Sequence, residues 1–199
     1  RIIGGTAGGT VLKAPKGMGV RPTPDLVRQA VFNSLGNRIE GAHILELFAG
    51  TGALSLESLS RGAQSALCVE LSRKHAEFIK GNARFARLEP QSLQLRVQDA
   101  FTAVHQLAQS GITFDLIFAD PPYGDKNTAK RSESFAQKLL DDEQLPALLA
   151  PEGLFVLGHA RRDTLSLPEA RWTEIKLMKH GDNVMRYLKR APQSHPVSA

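Results

Sequence analysis

One cysteine, Cys68, is the whole cysteine content of the 199 residues, so no disulfide can form within the chain. It lies in the apolar run SALCVEL and reads as a small buried hydrophobe. A cytoplasmic protein is the expectation that follows. No apolar run nears the roughly 18 residues that suggest a bilayer span. No N-terminal segment has the charged, apolar and small-residue order of a signal peptide. The chain starts at Arg1 rather than Met, which leaves an upstream extension open. His43, His75, His105, His159, His180 and His195 are scattered, without an i,i+4 pair or a cysteine at zinc spacing. No metal site is expected. Acids are absent before Asp25, whereas Arg1, Lys13, Lys16 and Arg21 all precede it.

The length suits one domain with a real core. The net charge of +5 says little alone. A second basic group, Lys176, Lys179, Arg186, Lys189 and Arg190, lies near the C-terminus. If both groups share a face, they form a patch suited to phosphates; otherwise they are ordinary solvated charge. We expect a basic N-terminal arm over 1–23, one domain over 24–191 and a disordered tail over 192–199, where apolar content is low. Gly4, Gly5, Gly8 and Gly9 precede no strand-to-helix unit and are expected to be flexible turns in the arm. A monomer is the default expectation.

Between these ends, strand-like and helical segments alternate. Thr23 is expected to cap a helix with Pro24 at its first position and Asp25 in its first turn. Val27, Ala30, Val31 and Leu35 then recur at helical spacing. HILELF, SALCVE, SLQLRVQ, FDLIFA and GLFVLGH read as five strands. Helices are expected over 52–62, ended by Gly62, and over 72–87, 100–109 and 132–140, with Pro146 breaking any continuation. Strands near 171–179 and 184–190 flank HGDN, a plausible hairpin turn, with Trp172 packed beneath them. This order predicts an α/β fold: a mostly parallel seven-stranded sheet, an antiparallel C-terminal hairpin, and helices on both faces.

Four strands end in chemistry. The first delivers Glu46 and a turn with Gly50 and Gly52, set where open parallel sheets bind ligands. The turn lacks both the lysine of a phosphate-binding loop and the third glycine of a dinucleotide fingerprint. An acid before it repels phosphate and suits an ammonium. The second ends in Glu70, at the spacing of an acceptor for ribose hydroxyls. The third ends in Asp99, which can accept from an adenine amine or cap the following helix. The fourth ends in Asp120, Pro121, Pro122 and Tyr123. Prolines donate no ladder bond and stiffen the turn that presents these groups. A ligand with an ammonium, a ribose and an adenine fits such an edge. S-adenosylmethionine has those parts.

ELFAGTGALSLESLSRGA, CVEL, QDAF and DPPY occur in the order found in class I S-adenosylmethionine-dependent methyltransferases. With RIIGG and RPTPDLVRQAVFNSL ahead of them, the chain from Arg1 to about Arg190 resembles the RsmD-type guanine-N2 methyltransferases of small-subunit ribosomal RNA. Members often carry Asp where Glu46 stands. The resemblance implies a Rossmann-like methyltransferase fold. It implies cofactor contacts from Glu46, Phe48, Gly50, Gly52, Glu70, Leu71, Asp99, Ala100 and Asp120. Asp120 and the Pro121 carbonyl would hold the guanine amine, and Tyr123 would stack on the base. Lys13, Lys16, Arg21 and Thr23 would contact RNA, in a partly assembled ribosomal particle. Arg61 matches the family without an evident role. The other readings are a DNA adenine-N6 or protein amide methyltransferase, and a non-catalytic RNA-binding assembly factor.

Overall fold

Short runs of Leu, Ile, Val and Phe become the inner parallel strands, covered on both faces, and the alternating LQLRV becomes a half-exposed edge strand. In the computed structural model, which describes residues 1–14, 23–88, 90–122 and 132–192, these are β1 (His43–Leu47), β2 (Ser65–Glu70), β3 (Leu93–Val97), β4 (Phe114–Ala119) and β5 (Leu149–Ala160). β6 (Trp172–His180) and β7 (Asn183–Arg190) close the chain. The sheet has seven strands in the order β3-β2-β1-β4-β5-β7-β6. β1 to β5 run parallel, and β7 pairs antiparallel with both β5 and β6. The expected sheet is therefore the observed one.

Helices α1 (Asp25–Leu35), α2 (Ala53–Ser60), α3 (Arg73–Phe85), α4 (Ala100–Gln109) and α5 (Phe135–Asp141) follow the predicted segments closely. One strand face buries Ile44, Ala66, Leu116, Phe118 and Val156 against Val27, Val31 and Phe32 of α1 and Leu54 of α2. The other buries Leu45, Leu67, Ile117 and Phe155 against Ala103 and Leu107 of α4 and Leu139 of α5. Trp172 is buried, lies 5.2 Å from Phe155 and donates its indole N–H to the Leu140 carbonyl at 2.9 Å.

Two local expectations are corrected. Thr23 does not cap α1: Pro24 is the cap residue, and no side chain bonds the first-turn amides. The glycines at the start are not flexible turns, because the segment is docked. Ile2 is buried with Leu56, Ala83 and Ala86. The amides of Ile3 and Gly4 donate to the Glu57 carboxylate at 2.6 and 2.9 Å. Ser60 Oγ donates to the Gly4 carbonyl at 2.6 Å and accepts from the Ala7 amide at 2.9 Å. Three members of the C-terminal basic group have partners within the fold, while Lys179 and Arg190 are exposed. Arg186 pairs with Glu174, Lys189 pairs with Glu152 at 2.7 Å, and Lys176 donates to Ser34 Oγ.

Arg61 now has a structural role. Its Nε donates to Glu57 at 2.7 Å, and its guanidinium lies over the Phe32 ring at 5.1 Å. It thereby ties the docked N-terminal segment, α2 and α1 together.

Candidate functional site

Sheet order decides which strand tips are neighbours. Along the carboxyl edge, β3, β2, β1 and β4 bring Asp99, Glu70, Glu46 and Asp120 into one row. The strand order reverses between β1 and β4, where open α/β sheets form their ligand crevice.

The glycine turn after β1 is set by geometry that other residues resist. Gly52 has φ +72°, and a Cβ there would lie 2.9 Å from the Ile79 side chain of α3. Phe48 also takes a positive φ, 57°, unusual for an aromatic residue. Its ring meets Phe101 at 6.1 Å and Phe135 at 5.5 Å between centroids. Neither Phe101 nor Phe135 was singled out by sequence reasoning. The QDAF segment already contained the first; nothing local distinguished the second.

Glu46 is turned inward and only 3% exposed. Its two oxygens accept from the amides of Leu54 (3.3 Å) and Ser55 (2.8 Å), at the start of α2. Both oxygens thus serve a helix N-terminus, whose partial positive charge favours an anion. Burial pushes this carboxyl up to about 7, against the hydrogen bonds from Ser55 and Leu54. Between about 4.5 and about 7, the folded chain holds a proton that the unfolded chain has released. Stability therefore falls as pH rises through that window and levels off above it. Glu46→Gln is expected to flatten this dependence, by on the order of 3 kcal/mol across the window. Urea melts of both proteins between those pH values check it; parallel curves would refute it.

Glu70 bridges the tip of β2 to the glycine turn. Oε2 accepts from the Gly50 amide at 2.7 Å, and Oε1 from the Ser72 amide at 2.8 Å, with His75 Nδ1 at 3.4 Å. Oε2, with one amide donor, keeps a second lone pair for a ligand, while Oε1 faces both Ser72 and His75. Leu71, next along, is 71% exposed. Asp99 caps α4, accepting from the Thr102 amide and hydroxyl on Oδ1 at 2.9 and 3.1 Å. Its exposed side chain retains the other oxygen, and Ala100 behind it is buried. These features fit a group that carries vicinal hydroxyls, an apolar ring face and an exocyclic amine.

Asp120 continues the alternation of β4 toward the α1 face, where Phe118 also points. Its Oδ2 accepts a short hydrogen bond from the Thr23 hydroxyl. Its Oδ1 lies over Gly158 of β5, in the space that a Cβ would take. Burial raises the carboxyl above its ordinary value, and the Thr23 bond opposes that rise. Pro121 behind it is buried. Both Gly158 and the Thr23 contact escaped sequence reasoning, since each depends on a residue far away in the chain.

Lys13 is exposed, with its ammonium 5.9 Å from the Phe85 ring centre. Asn82 fixes its backbone, accepting from the Lys13 amide at 2.8 Å and donating to its carbonyl at 3.0 Å. Lys16, Arg21, Tyr123 and the tail from 193 lie outside the described residues. Among the described residues, no group of three or more His, Cys, Asp or Glu could hold a metal, and no helix is long and apolar enough to cross a membrane.

A family model described as conserved hypothetical protein 95 matches residues 1–189. The chain belongs to this family, the RsmD-type methyltransferases. The Haemophilus influenzae protein named ribosomal RNA small subunit methyltransferase D is 31% identical over 88% of the chain and 86% of its own length. The Escherichia coli protein of the same name is 39% identical, over 62% of the chain and 60% of its own length. Among solved structures, the E. coli protein yhhF superposes with a TM-score of 0.76 at 30% identity, covering 97% of this chain and 98% of that one. The fold is that of the class I methyltransferases, whose methyl donor is S-adenosylmethionine.

Proposed function

We propose that this RsmD-type protein transfers a methyl group from S-adenosylmethionine to the exocyclic N2 amine of a guanine in small-subunit ribosomal RNA. The observation that carries the reading is the row of Asp99, Glu70, Glu46 and Asp120 on adjacent strand tips, ending in the Asp-Pro-Pro turn of β4. The names of the H. influenzae and E. coli relatives support the RNA substrate. S-adenosylmethionine supplies an electrophilic methyl when bound. Asp99 would accept from its adenine amine and Glu70 from its ribose hydroxyls, with Leu71 and Ala100 against the adenine. Glu46 and Gly52 would act by fixing the glycine turn, with Gly50 and Phe48 beside the cofactor.

A guanine amine is a weak nucleophile because its lone pair is delocalised into the ring. Asp120 and the Pro121 carbonyl would accept its two N–H bonds, aim the lone pair and stabilise the positive charge that develops on nitrogen. As the N–CH3 bond formed, the S–CH3 bond would break with S-adenosylhomocysteine as the leaving group, and the nitrogen, made acidic by methylation, would lose one proton to solvent. Tyr123 would stack on a base drawn out of its helix. The setting that fits best is a cytoplasmic monomer acting on a partly assembled ribosomal particle.

Lys13, Lys16 and Arg21 would contact phosphates. Replacing all three by glutamine is expected to weaken RNA binding and flatten the log–log salt dependence by about 0.7–0.9 per lost contact. Filter binding across a salt series tests this, and an unchanged slope would count against the segment as an RNA contact.

The deciding assay offers labelled S-adenosylmethionine and small ribosomal subunits from cells lacking this enzyme, then analyses the nucleosides. Label in N2-methylguanosine is the expected result. Label on DNA or protein offered in parallel would remove the RNA target and keep the fold and the donor. No transfer to any acceptor would favour an RNA-binding assembly factor.

A further inference from the structure

The Asp120 carboxylate is held from a part of the chain that lies 97 residues away. Thr23 stands just before α1, in the segment RPTPD, where its hydroxyl looks like a helix cap. It does not serve α1: the cap residue is Pro24 and the first turn has no side-chain cap bond. The hydroxyl donates to Asp120 Oδ2 instead. Its own backbone is fixed in turn, since Arg28 Nη1 donates to the Thr23 carbonyl at 3.0 Å. Arg28 is a buried cation whose other nitrogen is held by Asp25 at 2.7 Å and by the Arg1 carbonyl. On the opposite side, Oδ1 occupies the space that a Cβ on residue 158 would need, so only glycine there admits it.

These contacts form one chain of restraint: Arg28 fixes Thr23, Thr23 fixes one carboxylate oxygen, and Gly158 admits the other. A carboxylate at the end of a strand otherwise turns freely about its terminal torsion, which is broad and roughly two-fold. An acceptor that must meet an amine N–H at a set angle loses rate when it turns. We infer that Thr23 is a positioning residue for methyl transfer, orienting the Asp120 carboxylate toward the target amine while touching neither RNA nor cofactor. The inference rests on the functional reading above and adds to it a residue that acts through Asp120.

Thr23→Val keeps the shape and removes the donor; Thr23→Ser keeps the donor and removes a methyl. Both are compared with wild type in steady-state methyl transfer to unmethylated small subunits, varying RNA and cofactor separately. Thr23→Val is expected to lower kcat about 100-fold with both KM values unchanged. Thr23→Ser is expected to recover most of that loss. A Val variant with wild-type kcat overturns the inference. So does a Ser variant as slow as the Val variant, since packing would then be the cause. A raised KM for RNA with kcat intact also overturns it and makes Thr23 an RNA contact. Failure of the functional reading looks different: the wild type itself then yields no N2-methylguanosine, and the inference falls with it.

Discussion

Asp120→Ala is expected to lower methyl transfer by about 10³-fold, the scale of removing a positioned group that serves a developing charge. The loss should fall on kcat. The carboxylate sits on the α1 side of β4, held by Thr23 and seated over Gly158. The groups assigned to adenine and ribose stand two and three strands away, on β2 and β3. Cofactor affinity, measured by calorimetry, should therefore stay near wild type. The raised carboxyl adds a second signature: the acidic limb of the wild-type rate profile should lie above the pH of an ordinary aspartate. An alanine variant with substantial turnover would remove Asp120 from the reaction.

Glu57→Ala should produce the largest loss of stability. Glu57 is fully buried in α2 and accepts from the amides of Ile3 and Gly4 and from Arg61 Nε. Alanine leaves a guanidinium and two amides without their acceptor. Breaking a buried pair from one side costs about 3–5 kcal/mol. At roughly 2–4 °C per kcal/mol for a chain of this size, Tm should fall by about 6–20 °C. Glu57→Gln keeps one acceptor oxygen and should lose less. Thermal melts followed by circular dichroism decide it, and a drop of only about 1 °C, the scale of an ordinary surface change, would contradict it.

The sheet was legible because β1, β2 and β4 are apolar runs too short for helices and bounded by turn residues. The strand-tip acids were legible because a parallel sheet puts its ligand edge at the carboxyl ends. What was not legible shares one cause. Thr23 carries every local mark of a helix cap, yet its partner is on β4. Glu46 is polar and beside a glycine turn, and only packing shows that α2 takes both oxygens. Gly158 looks like any glycine in a strand until Asp120 is placed against it. The starting glycines read as flexible because Glu57 and Ser60, which hold them, come some fifty residues later. The partners of Lys189 and Arg186 were not legible because Glu152 and Glu174 lie elsewhere in sequence. Local pattern reports what a residue tends to do; long-range pairing decides which tendency is used.

The order β5-β7-β6 has a consequence for the chain while it is being made. β6 leaves the ribosome before β7, yet its ladder partner is β7 alone. Until Asn183–Arg190 emerges, β5 has one unpaired edge and β6 has no sheet to join. An open apolar edge invites pairing with other chains. A nascent protein halted before residue 183 should thus be prone to aggregate even though its ligand edge is already encoded.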